Sequence, residues 1–490
     1  MTGKYLFKGG FVVTLDDSLG DFPFGSVLVE GGIITAVGHA DDIHCPDAEV
    51  IDATDGVIIP GMVDTHRHAS MSLTRGLGAD QSLFHFLSNT YLRWLPATSV
   101  EDMELSAMVG GLEAINSGVT TIMDTCESFH SDGHADAEFE GLKKSGVRAF
   151  FCFAMSDGAY GDAPTGRDGW EARLEHIQRL RRSTTPDSLV QIGMAIGQPG
   201  TVPFDFTKKE LSFAEDNGLL SCSHSCAIEN SIITKDIEDR AQHDLLIPGH
   251  VYIHCTNLTK REIDLIAKSG GKISVATETE MQMGMGVPPI RACIESGINP
   301  SLSIDTSTAV APDLLSQMRL ALQMQRCLDN DAIHKTRQVP LECQFGVRDA
   351  LIWGTRNGAE TVGKINEFGT LTPGKQADIV MITSRNALSA SAYPLATAVL
   401  HSSPADVDTV MIKGEIKKRD GKLTGLDVAE IRLKAKAGLK RIMDQLPNMR
   451  PEMTPDEVRQ YLLSAENMTR ANLAKAHFGE NLRGDWTRQD

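Results

Sequence analysis

Val57-Ile-Ile-Pro-Gly-Met-Val-Asp-Thr-His-Arg-His68 is an apolar run that carries an internal Pro-Gly and ends in two histidines one residue apart. In an extended strand, side chains two residues apart share a face, so His66 and His68 are expected to point at one object. Imidazole is the commonest nitrogen ligand of a catalytic divalent metal. The stretch therefore reads as a buried strand with two metal ligands at its carboxyl end. Taken by itself, a His-x-His pair also fits two unrelated surface histidines.

Outward from this stretch the pattern supports the first reading. From residue 57 on, apolar runs alternate with helical stretches, as in βα units built on parallel strands. Eight such runs can be counted, at 57–65, 119–125, 148–155, 190–197, 219–225, 251–256, 272–277 and 300–305. Gly118, Gly218 and Gly270 stand where the intervening helices should stop. Eight units are what a closed (β/α)8 TIM barrel needs. Short β-type runs precede residue 57 and return at 370–383 and 407–425. The expected architecture is a barrel at 57–365 beside a small composite β-sandwich built from 1–56 and 366–425. Residues 426–490 are expected to form a helical C-terminal extension, broken by Pro447, Pro451 and Pro455, that serves as a surface or subunit-contact element.

The 490 residues are 41% apolar and 23% charged, ordinary for a globular enzyme. A net charge of −18 argues against nucleic acid or an anionic membrane as the main partner. No run approaches the roughly 18 apolar residues that span a bilayer, and the start lacks the apolar core of a signal peptide. Nine scattered cysteines do not form a disulfide framework. A cytoplasmic enzyme with a small-molecule substrate is expected.

Catalytic groups of a barrel sit where its strands end. Four of the eight expected ends carry metal ligands or proton carriers: His66 with His68, then His224, His254 and Asp305. Three imidazoles (His66, His68, His224) and the Asp305 carboxylate would leave a position for water on one divalent ion. Such an ion lowers the pKa of its water to roughly 7. Asp305 can then take the proton, and His254 beside the ion can polarise the substrate or shuttle a proton. Zinc suits an imidazole-rich set, and three nitrogens with one oxygen also suit Fe(II).

The run Gly61-Met-Val-Asp-Thr-His-Arg-His68 resembles the opening signature of the amidohydrolase superfamily, in its cytosine deaminase and s-triazine (chloro)hydrolase-like branch. Further similar segments follow in order: Gly118-Val-Thr-Thr-Ile-Met-Asp124, Ile253-His-Cys255, Leu302-Ser-Ile-Asp305 and Leu371-Thr-Pro-Gly-Lys-Gln-Ala-Asp-Ile-Val380. The resemblance implies a metal-bearing barrel with a small β-sandwich, often in a homo-oligomer. It implies hydrolysis of a C–N bond, other than a peptide bond, in a small heterocyclic molecule. Its metal ligands fall on His66, His68, His224 and Asp305, and its sixth-strand histidine on His254. The run 190–197 holds no Lys for a carboxylated bridge, which favours one metal.

Two departures stand out. Deaminases of the branch carry a Glu three residues after the fifth-strand His, where this chain has Ala227. The seventh strand leads into Ala276-Thr-Glu-Thr-Glu-Met-Gln-Met-Gly-Met-Gly286 in place of the usual Asn-Pro-x-Ser-Asn. Glu280 or Glu278 is expected to take over the acid/base or substrate-binding role, the alternative being loop carboxylates paired with Arg or Lys. His85, Trp94, Met283 and Thr306 are candidate substrate contacts. Loss of the ring-protonating Glu keeps open the hydrolysis of an amide, carbamate, urea or C–halogen bond. A metal-free scaffold barrel is disfavoured because every ligand position is filled.

Overall fold

The computed structural model describes residues 3–127, 131–155, 170–197, 200, 202–383 and 388–476. Its centre is an eight-stranded parallel sheet whose strands neighbour one another in chain order, β6 to β13. These are β6 Met62–Arg67, β7 Val119–Cys126, β8 Arg148–Ala154, β9 Val190–Ala195, β10 Ser221–Ser225, β11 Val251–His254, β12 Lys272–Val275 and β13 Ser301–Leu302. Each overlaps one of the eight expected runs. β7 and β8 are buried along their whole length, because helices cover one face and the barrel core the other.

The ring closes at the ligand-bearing end. β13 is only two residues long, but Asp305 bridges to Arg67 in parallel fashion. The Asp305 N–H donates to the His66 carbonyl at 3.0 Å, and the His68 N–H donates to the Asp305 carbonyl at 2.9 Å. The last strand is thereby stitched to the first at the residues expected to bind metal.

The run at 57–65, expected as one strand, is two. β5 Gly56–Pro60 and β6 are separated by Gly61, whose N–H donates to the Asp378 carbonyl at 2.9 Å. A side chain at Gly61 would place its Cβ 2.1 Å from Thr120 Oγ1, so only glycine permits the close passage from one sheet to the other.

β5 belongs to a nine-stranded mixed sheet drawn from both ends of the chain. It pairs parallel with β1 Lys4–Val12 and antiparallel with β14 Ile379–Thr383. β2 Phe22–Glu30, β3 Ile33–His39 and β4 Glu49–Asp52 extend the N-terminal side, and β15 Val407–Ile412, β16 Glu415–Arg419 and β17 Lys422–Leu423 the other. The sheet folds over a core that includes Phe7, Val29, Ile58 and Met411. Arg148 at the start of β8 fastens it to the barrel through Asp378 (2.9 Å) and Gln376 (2.8 Å).

The C-terminal extension is helical, as expected, and packs on the barrel through a few of its side chains. Helix Val428–Gln445 pairs Arg441 with the buried Asp102 of helix Val100–Asn116. Helix Pro455–Ala476 lies across the barrel mouth, where Ser231 Oγ donates to Glu466 Oε1 at 2.9 Å and Asn472 Nδ2 to the Gly200 carbonyl at 3.1 Å. Among the described residues no helix is long and apolar enough to cross a membrane. None of the nine cysteines is in a disulfide, and six of them are buried.

Candidate active site

Five side chains from four strand ends meet at the mouth of the barrel. Candidate ligand atoms of His66, His224 and His254 lie within 4.8 Å of one another, and so do those of His66, His68 and Asp305. His66 is shared by both sets, which makes it the centre of the cluster. Asp305 Oδ1 lies 3.2 Å from His66 Nε2 and 3.5 Å from His68 Nε2.

The surroundings fix which nitrogen each ring presents. His68 Nδ1 donates to the Thr125 carbonyl at 3.1 Å, which leaves Nε2 as the nitrogen with a lone pair toward the cluster. His66 Nδ1 pairs with Thr125 Oγ1 at 3.0 Å. One residue at the end of β7 thus orients both histidines of the opening stretch. Behind them Arg67 and Asp64 form a fully buried ion pair at 2.8 Å, and Asp64 also accepts the Ile304 N–H.

Burial sets the protonation states. It pushes the His66 imidazole down to about 4, against the pull of Asp305. His224 is also pushed well below the ordinary range, by burial and then by the neighbouring imidazoles. Both rings are therefore neutral near pH 7, the form that ligates a cation. Burial pushes Asp305 up, but the His66 hydrogen bond and the imidazoles of His254 and His68 outweigh it and hold the carboxyl well below the usual range. A neutral-imidazole and carboxylate donor set of this kind fits one divalent ion.

His254 and Asp305 both sit in the left-handed backbone region, at φ 73° and 64°. Non-glycine residues occupy that region rarely, and it turns both side chains off the strand direction into the mouth.

The two candidate acids separate cleanly. Glu280 is fully buried, and its Oε1 accepts the Ala276 N–H at 2.7 Å and lies 3.2 Å from His254 Nδ1. Because Oε1 already accepts a backbone N–H, His254 Nδ1 is the donor and its Nε2 faces the cavity. Burial pushes the Glu280 carboxyl up, opposed by the His254 hydrogen bond. Glu278 instead exchanges hydrogen bonds with Gln317, at 3.0 and 3.1 Å, away from the cluster.

The cavity above the cluster is bounded by His68, His224, His254 and Asp305, with Met283 and Thr306 among its other walls. His85 and Trp94 do not line it: Trp94 is buried in the apolar cluster that also holds Tyr91 and Met283, and His85 is half-buried. Phe84, Leu87 and Tyr91 line it instead, because spacings of three and four residues put them on one helical face. Ala227 also lines the cavity, with no acid at that place. Glu127, which the sequence reading missed, sits between two of the histidines. Its carboxylate oxygens lie 3.9 Å from His68 Nδ1 and 3.6 Å from His224 Nδ1. It follows the apolar β7 directly, the same strand-end signal that marked the histidines.

The amidohydrolase family model matches residues 57–417. The chain belongs to the amidohydrolase family. A 5'-deoxyadenosine deaminase of Methanothermobacter thermautotrophicus is 28% identical over 415 residues, 82% of this chain and 91% of its own. A 5-methylthioadenosine/S-adenosylhomocysteine deaminase of Shouchella clausii is 24% identical over 452 residues, 90% of this chain and 99% of its own. Among solved structures, an adenosine deaminase from Xanthomonas campestris with bound zinc matches with a TM-score of 0.79 at 21% identity, over 90% of this chain and 99% of that one. An atrazine chlorohydrolase from Arthrobacter aurescens, complexed with zinc, gives 0.75 at 19% identity, over 89% and 100%. These structural likenesses place the amidohydrolase chain in a shared fold.

Proposed function

We propose that this amidohydrolase is a metal-dependent aminohydrolase that uses water to displace an amine or ammonia from a carbon of a small aminated heterocycle. The convergence of His66, His68, His224, His254 and Asp305 within one cluster carries the reading. The four residues His66, His68, His224 and Asp305 would hold one divalent ion, zinc by the imidazole-rich donor set. Bound there, the ion would act as a Lewis acid and make water a nucleophile at neutral pH.

The remaining work falls to the chain itself. Asp305, anionic at neutral pH, is placed to accept the proton of the attacking water. His254 presents the lone pair of Nε2 to the cavity and is placed to relay the proton that leaves the water, taking it up at Nε2 and returning it to the leaving nitrogen. Glu280 holds the other side of that ring and favours the tautomer with a proton on Nδ1. It is a positioning residue, since it reaches the cavity only through His254. Met283, Thr306 and the apolar wall exclude bulk water from the reacting carbon.

Names of the relatives favour an adenine-like base as the aminated ring. Ala227 supports a second reading, hydrolysis of an amide, carbamate or urea, because an acyl carbon needs no protonated ring nitrogen. Release of ammonia or amine by the metal-replete enzyme across aminopurines, aminopyrimidines, triazines and aryl amides or ureas separates the two. Turnover of an aminated ring is expected. Activity confined to acyl compounds would contradict the first reading and favour the second.

A further inference from the structure

Opposite the ligand cluster, the cavity is walled by two segments that no motif singled out. The turns Leu83–Phe86 and Leu87–Tyr91 bring Phe84 and Leu87, and the C-terminal helix Pro455–Ala476 brings Tyr461 and Ala465. The Phe84 and Tyr461 rings meet edge to face with centroids 6.1 Å apart, so the two segments close on each other. Met283 and Met285 complete this side with flexible apolar side chains.

Polar partners are scarce on that side. Away from the cluster and Glu127, the described lining offers the side-chain hydroxyls of Tyr91, Thr234, Thr306 and Tyr461, and Tyr91 Oη donates to the Glu127 carbonyl at 3.4 Å. Thr234 Oγ1 donates to the Ile233 carbonyl at 2.6 Å and accepts the Ala227 N–H at 3.3 Å. Thr306 Oγ1 donates to Thr308 Oγ1 at 2.9 Å and accepts the Thr308 N–H at 3.2 Å. A sugar placed here would bury several hydroxyls against few partners, which is unfavourable, whereas an alkyl or thioether group would only lose contact with water.

We propose that the C-terminal helix is the specificity wall of the site, and that its substrate carries the reacting ring on an apolar substituent, packed against the surface that Phe84, Leu87, Tyr461 and Ala465 form together. This rests on the aminohydrolase reading and adds to it the chemistry of the non-reacting end. The selective contact comes from residues beyond the barrel, so it varies independently of the metal ligands.

The test uses the full-length, metal-replete enzyme with two substrates that share a base, 9-pentyladenine and adenosine. Ammonia release is expected to be at least about tenfold more efficient with the pentyl compound. Tyr461→Ala should raise KM for 9-pentyladenine about tenfold while kcat stays within about twofold. If adenosine is the better substrate and Tyr461→Ala affects neither, the specificity wall is overturned while the aminohydrolase reading stands. If neither compound releases ammonia, the adenine-directed chemistry fails, and calorimetric titration with 9-pentyladenine judges the wall alone. Binding that is weakened in both Tyr461→Ala and Ala465→Asp upholds it. Absent binding, or binding unchanged in both variants, overturns it.

Discussion

His254 shows how one side chain is given a single job by its neighbours. Its left-handed backbone turns the ring into the mouth, and Glu280, anchored by the Ala276 N–H, holds Nδ1. Glu280→Gln keeps the shape but replaces a carboxylate acceptor with an amide. It is expected to lower kcat by about a hundredfold or more and to shift the pH profile of kcat, with bound metal unchanged. Glu278→Gln, whose partner is Gln317, is expected to stay within about twofold of wild type in steady-state assays. Equal loss in both variants, or none in either, would contradict the assignment. The sequence marked Glu280 by a gap in a pattern, since Ala227 left a role unfilled. It marked Glu127 equally, at the end of β7, but no histidine stood there to draw notice. His85 and Trp94 were singled out by residue type, whereas the cavity takes the helical face bearing Phe84, Leu87 and Tyr91.

At the scale of elements, buried polar groups lock the strands that carry the ligands. His250, just before β11, joins Ser221 and Ser223 of β10, at 2.7 and 2.9 Å, and receives Arg240 Nη1 from helix Ile237–Gln242 at 3.1 Å. Burial, then Arg240, pushes this imidazole well below its ordinary value, so it stays neutral in the fold. An unfolded chain binds the proton near 6.5. The stability that neutral His250 contributes is therefore complete above that value and fades as pH falls below it. Asp236 and Tyr252, the other titratable groups around Arg240, are common to wild type and variant. The stability advantage of wild type over His250→Gln, from urea unfolding of metal-free protein, should shrink by about 2 kcal/mol between pH 7 and pH 5. A constant difference would show that His250 charges in the fold as it does outside it. Such networks were not legible in the sequence, because they depend on which strands become neighbours. The strands themselves were, since a parallel sheet buried on both faces leaves unbroken apolar runs. Gly61 hid one boundary: a single run read as one strand crosses between two sheets.

For the molecule as a whole, the barrel closes at the proposed reaction centre, with Asp305 bridging to the first strand while its carboxylate faces His66 and His68. Fold and candidate site are thus one structure at that rim, which is why a strand-end reading of the sequence pointed to the barrel and to this cluster of side chains together. The C-terminal helices escaped it because an amphipathic helix shows that it packs, but not against what. The most direct test of the central claim is the metal content of purified protein after equilibrium dialysis against zinc, for wild type, His68→Ala and Asp305→Asn. About one ion per chain in wild type, with most of it lost in both variants, is the predicted result. A wild-type chain that binds no ion, or variants that retain it fully, would contradict the account.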